Sequence, residues 1–198
     1  MEVIYSVMES LLPFSWVSFT FMKNAFLAIL LITPLFGLVG TMIVNNKMSF
    51  FSDALGHCAL TGIAIGVVLG VSNYSFAMLC FSVLFALGIS VIMQSEASSS
   101  DTIIGVFSSA GIALGIFILS LSGGLGKYSS YLVGDILSIT KNEIIMLAVT
   151  LVVVISVWVV SFNKLLLAGL NSEMAASKQI NVRFYKNLFS VLIAIIVT

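Results

Sequence analysis

The sequence predicts an all-α membrane protein: a polytopic bundle of transmembrane helices with about five complete spans and a truncated sixth. Three observations carry that prediction. Hydrophobic residues make up 60% of the 198 and charged residues 8%, against roughly 45–50% and 25% in soluble domains. Mean hydropathy is +1.21. The apolar residues also fall into uninterrupted runs close to the ~20 residues a helix needs to cross a hydrocarbon core about 30 Å thick. Eight basic and eight acidic residues give a net charge of +0. This balance excludes a basic nucleic-acid-binding face, and the composition excludes a disordered chain and an ordinary soluble enzyme.

The runs occupy residues 25–44, 54–71, 75–93, 102–121 and 144–162, and a sixth begins at 188 and stops after 11 residues at 198. The first contains Pro34 as a potential kink. Backbone groups in lipid must be paired within the element, and barrel strands alternate apolar with polar residues. Continuous apolar runs therefore read as helices. The whole chain, 1–198, reads as one transmembrane domain that is C-terminally truncated inside its last helix. Residues 1–21 hold Glu2, Glu9 and Pro13 and read as an interfacial segment. With no early Lys or Arg they lack the charged start of a cleavable signal peptide.

The connections set the orientation. Segments 45–53, 94–101 and 163–187 lie on one side and carry Lys47, Lys164, Lys178, Arg183 and Lys186; the N-terminal segment, the 72–74 turn and the 123–143 loop lie on the other and carry Lys23, Lys127 and Lys141. The positive-inside rule makes the first side cytoplasmic. The 123–143 loop, only half apolar, is expected to form a short interfacial or re-entrant helix, and 163–187 is the most polar stretch.

Helices in lipid associate through small residues that let backbones approach. Cys58, Gly62, Gly66 and Gly70 recur every fourth residue in the second span, and Gly111 with Gly115 forms a second pair in the fourth. These glycines read either as helix-packing positions within one subunit or as the lining of a path or dimer seam. Cys58 and Cys80 lie in apolar runs and behave as small hydrophobes.

Ionisable residues at membrane depth are functional-site candidates by default. Asp53 and His57, the only histidine, share one helix face at i, i+4, and Thr61 continues it. Imidazole and carboxylate suit zinc, manganese or iron. Two ligands bind weakly, as a permeation path requires. A packing pair, or Asp53 as a helix cap, is the other reading. Asp101 is expected to cap the fourth span, and Asp135 to serve in a turn. There is no P-loop, no HExxH motif and no activated nucleophile, so catalysis is not expected and another subunit must supply energy for active transport. A passive channel or anchor subunit, or an intramembrane metal-dependent hydrolase, are the alternatives.

Three stretches carry a family resemblance. Residues 21–66 contain FMKNA and MSFFSDALGH, similar to "F-M-x-N-A" and "M-S-F-F-G-D-A-L-S-H"; residues 101–120 begin DTIIGVFS, similar to "D-T-A-I-G-I-x-F-S"; and residues 130–137, SYLVGDIL, are similar to "S-Y-L-F-G-D-I-L". In this order they resemble the permease subunits of bacterial ABC importers for zinc, manganese and iron, ABC transporter family 3. The resemblance implies a homodimer in the bacterial cell membrane with the path at its interface. It also implies a cytoplasmic ABC ATPase and an extracytoplasmic metal-binding solute-binding protein. The transported divalent metal is then cargo, and no tightly bound cofactor is implied. Asp53 and His57 match the family's metal-path residues. Segment 163–187, with Asn171, Glu173, Met174 and Ala175 in place of "D-P-E-x-A", matches the ATPase-docking segment, and Gln179 stands where the family pattern has glycine. Ser52, Gly56 and Thr61 also depart from the pattern, which has Gly, Ser and Pro there.

Overall fold

Apolar runs in this chain become helices, and polar residues flanking several of the runs supply the caps. The computed structural model describes residues 2–11, 14–71, 73–95, 98–123 and 136–198, with the side chains of 2, 3, 11 and 16 left aside. The helices are α1 (Glu2–Leu11), α2 (Thr20–Asn45), α3 (Phe51–Val68), α4 (Tyr74–Met93), α5 (Ser100–Leu121), α6 (Lys141–Leu170), α7 (Ser172–Ser177) and α8 (Val182–Val197), with 3₁₀ turns at Ser15–Ser18 and Ile136–Ser138. No strand occurs among the described residues. Five helices, α2 to α6, have the length and apolar character of membrane spans.

The caps explain the boundaries. Asn73 Oδ1 accepts from Phe76 N at the start of α4, and Asn181 Oδ1 accepts from Phe184 N at the start of α8. Thr140 and Glu143 form a reciprocal capping box at the start of α6, which satisfies two free N–H groups. The cap of α5 is Ser99, whose Oγ accepts from Thr102 N. Asp101, expected in that role, lies one residue inside the helix; its charge suits the positive end of the helix dipole without capping it. α6 continues eight residues past the predicted run, through Lys164 to Leu170, since Leu165 and Ala168 are buried and hold that stretch against the bundle. Likewise α8 starts at Val182, before the expected residue 188. Asp135 and most of the 123–143 loop lie outside the described residues.

The N-terminal helix is amphipathic and pinned. Tyr5 and Met8 are buried while Ile4 and Val7 are exposed. Tyr5 Oη donates to Asn24 Oδ1 at 2.5 Å, and Asn24 Nδ2 donates to Ile139 O at 2.9 Å. Lys23 is buried, pairs with Glu9, and stacks over the Tyr5 ring. These bonds tie α1, the start of α2 and the approach to α6 into one end of the bundle.

α3 is the hub. Across its most apolar 18 residues 61% are buried, against 22–28% in the other four spans. A Cβ at Gly62 would lie 2.9 Å from the Met78 backbone of α4, and one at Gly66 2.7 Å from Ala77 Cβ. Toward α5, a Cβ at Gly111 would collide with Cys58 Sγ, and one at Gly115 would lie 2.7 Å from Thr61 Oγ1. Thr61 Oγ1 donates to Gly111 O at 2.5 Å across that contact. Gly70 departs from the predicted stripe. It follows α3 with φ +68° and meets nothing within 4 Å; Val71 N bonds to Gly66 O and Gly70 N to Val67 O, so it ends the helix in the left-handed conformation that glycine tolerates. Both cysteines are free, Cys58 buried and Cys80 exposed on α4.

The largest apolar cluster surrounds the α2–α3 turn and joins Phe51, Leu55, Ile89, Ile104, Trp158 and Phe189. Ser90 Oγ and Gln94 Nε2 of α4 both donate to Asn187 Oδ1 of α8, at 2.8 and 2.7 Å, and fix the last helix to this end. Replacing Gly62 with Leu is expected to force α3 from α4 and destabilise the fold by about 1–3 kcal/mol. Gly88→Ala, which meets nothing within 4 Å, is expected to be neutral or stabilising by up to about 1 kcal/mol. Thermal unfolding in detergent, followed by circular dichroism, checks both.

Candidate functional site

One side of α3 is not covered, and it lies at the helix start. Asp53 falls in the first turn, and the cap position is Phe50, with no side-chain cap bond. Asp53 Oδ1 lies 3.4 Å from His57 Nε2, with side chains 70% and 44% exposed. Gly56 sits beside them with open space where a Cβ would be. Asp53 is therefore a partner of His57 rather than the helix cap. The open face closes one turn later, because Thr61 is buried and bonded to α5. His57 is six residues beyond Phe51, about 9 Å along the axis. The pair thus stands near the end of α3 that carries Lys47, with an imidazole and a carboxylate presented outward. Among the described residues no group of three His, Cys, Asp or Glu side chains gathers to enclose a metal ion. An outward Asp–His pair offers two ligand atoms to a passing cation and leaves the rest of its shell to water or to another surface.

The second candidate region is built on α7. Asn171 closes α6 and caps α7, its Oδ1 accepting from Met174 N at 2.9 Å. Glu173 occupies the first turn. Met174 is exposed and Ala175 fully buried, so the short helix stands on Ala175 and presents Glu173 and Met174. The chain then turns at Gln179, whose φ is +59°. Ile180 N bonds to Ala175 O at 3.0 Å and Gln179 N to Ala176 O at 2.9 Å, the helix-ending pattern that favours glycine. The backbone thus explains why a glycine pattern fits this position and what glutamine costs there. The predicted segment 163–187 is accordingly the end of α6, all of α7, this turn and the first turn of α8.

Sequence reasoning overlooked several residues that hold these regions in place. Asn46 packs its amide where a Cβ at Gly169 would be, 2.8 Å away; Cys58, expected as a packing position, and Thr61, expected on the face of Asp53 and His57, fill the grooves left by Gly111 and Gly115. Ser90 and Gln94, four residues apart at the end of an apolar run, were the available signal for the Asn187 contact.

Comparison with known proteins places this architecture. Residues 18–198 match the ABC 3 transport family. The manganese transport system membrane protein MntC of Listeria monocytogenes is 26% identical over 178 residues, 90% of this chain and 63% of that protein. The manganese import system permease protein ScaB of Streptococcus gordonii is 29% identical over 181 residues, 90% of this chain and 64% of that protein. The high-affinity zinc uptake system membrane protein ZnuB of Buchnera aphidicola is 28% identical over 150 residues, 75% of this chain and 57% of that protein. Among solved structures, PsaBC from Streptococcus pneumoniae in complex with Fab superposes with a TM-score of 0.72 at 25% identity, over 100% of this chain and 68% of that one. The chain thus spans less than two thirds of the length of these curated relatives.

Gln179→Gly is expected to relieve the left-handed strain and raise stability by about 1 kcal/mol. A thermal melt of the variant beside the parent protein checks this.

Proposed function

Because the chain belongs to the ABC 3 transport family, we propose that it is the membrane permease of an ATP-driven importer of divalent metal ions, zinc or manganese. It is a multi-pass protein of the cell membrane. The names of its relatives, manganese and zinc uptake proteins, support the cargo class. The observation that carries the reading is the outward Asp53–His57 pair on the uncovered start of α3.

The proposed mechanism is alternating access at a homodimer interface. A solute-binding protein on the outer side delivers the metal, and an ABC ATPase on the inner side drives the cycle. The two-ligand pair has the weakness a path needs, since an ion must bind well enough to enter and loosely enough to leave. A second copy of the chain facing Asp53, Gly56 and His57 would complete the ion's surroundings. The open space at Gly56 leaves room for close approach. On the inner side α7 serves as the ATPase-docking helix, with Asn171 shaping its start, Ala175 seating it, and Glu173 and Met174 facing the partner. The segment 163–187 as a whole is the docking segment, and 1–198 belongs to a single permease domain.

Asp53→Ala and His57→Ala are each expected to cut the initial rate of zinc or manganese uptake more than about tenfold, the loss that 1.4 kcal/mol of ion binding represents. Both side chains are exposed, so the melting behaviour and membrane level of each variant stay within about 0.5 kcal/mol of the parent. Uptake is read with the radioactive or fluorescent-sensor ion in cells that depend on this importer. Normal uptake in either variant defeats the assignment.

A further inference from the structure

A cavity of about 170 Å³ lies at the lysine-bearing end of the bundle, between the α2–α3 turn, the end of α4, the start of α5, the end of α6 and α8. Its lining includes Lys47 and Lys186, amide and hydroxyl groups such as Gln94 and Ser100, and an apolar wall of Met48, Met93 and Phe189. No carboxylate of the described residues belongs to that lining. Among the described residues neither lysine has an ion-pair partner, and the described acidic side chains are otherwise placed. Glu9 pairs with Lys23 and Asp53 with His57, Glu143 caps α6, and Asp101 and Glu173 stand in the first turns of α5 and α7. Lys47 is moreover held at φ +56°. Met48 N bonds to Ile43 O and Lys47 N to Val44 O, so a residue with a long charged side chain occupies a left-handed helix-ending position where glycine is favoured.

We propose that this cavity binds a phosphate group, and that its source is the headgroup of an anionic phospholipid of the cytoplasmic leaflet. The size fits, since a cavity of about 150 Å³ holds a benzene-sized molecule. The depth fits as well: the lining comes from the last residues of α2 and α4 and the first of α5, the level at which spans meet the headgroups. Two lysines with no carboxylate supply charge for an anion, and basic pockets between spans on the cytoplasmic side are suited to lipid headgroups. The wall of Met48, Met93 and Phe189 favours a lipid over a free ion, because it gives the glycerol and upper acyl region an apolar surface. The inference is independent of the metal pair and rests only on the orientation set by the lysines.

Native mass spectrometry of the detergent-purified chain, with phosphatidylglycerol or phosphatidylcholine added, tests it. The parent protein retains phosphatidylglycerol in preference to phosphatidylcholine. Lys47→Gln/Lys186→Gln weakens that retention roughly 25-fold, taking each lysine as worth about fivefold. Lys178→Gln, an exposed lysine of the same end outside the cavity, leaves it unchanged. Where the double variant is not monodisperse, Lys47→Gln alone, at an exposed turn, gives the roughly fivefold loss. Thermal protection by inorganic phosphate that depends on the two lysines, without lipid retention, keeps the anion site and overturns its lipid assignment. Equal retention of the two lipids, undiminished retention in the double variant, or cross-linking of Lys47 to a carboxylate of the ATPase with lipid retention unaffected overturns the proposal.

Discussion

α3 lies closer to its neighbours than any side chain larger than hydrogen permits at four positions, and the rest of the bundle is arranged around that closeness. Gly62 and Gly66 admit the α4 backbone, while Gly111 and Gly115 admit Cys58 and Thr61 from α3. Lipid offers helices no hydrophobic drive to associate, so dispersion contacts at short range and bonds such as Thr61 to Gly111 O must do it. Small residues are divided between partners: glycine on α3 meets α4, and glycine on α5 meets α3. Each seam therefore has one smooth side and one that fills it.

That packing decides where polar chemistry can appear. The middle of α3 is enclosed by α4, α5 and α8, and its first two turns keep an uncovered side that carries polar groups. Asp53, Gly56 and His57 occupy it. Had the pair stood two turns further along, both groups would have been sealed against α5 beside Thr61, and an unpaired carboxylate there would carry a heavy desolvation cost. Placing them at the mouth of the helix keeps them within reach of water and of any facing surface.

The sequence made the spans legible because a continuous apolar run of about 20 residues has few other solutions in lipid. It located the Asp53–His57 pair because i, i+4 spacing fixes a shared face whatever surrounds it. Helix ends were less legible. Ser99, not Asp101, caps α5, since a serine two residues before an aspartate gives the same local signal. Gly70 carried the stripe's four-residue spacing but lies past the end of α3; spacing alone does not show where a helix stops. The polar stretch after residue 162 looked like a loop, yet buried Leu165 and Ala168 kept it helical. Nor does a sequence reveal which side of a transmembrane helix meets protein and which meets lipid when both are equally oily.

The length of α6 has a mechanical consequence. At 30 residues it measures about 45 Å, some half again the thickness of the hydrocarbon core. No glycine or proline interrupts it before Gly169, so it behaves as a stiff rod whose end, seated on the bundle by Leu165 and Ala168, is joined to α7 by Asn171 alone. A push on that end from the aqueous side is not absorbed by a pliant linker. It is passed along the rod toward the turn that the Thr140–Glu143 box closes at its other end.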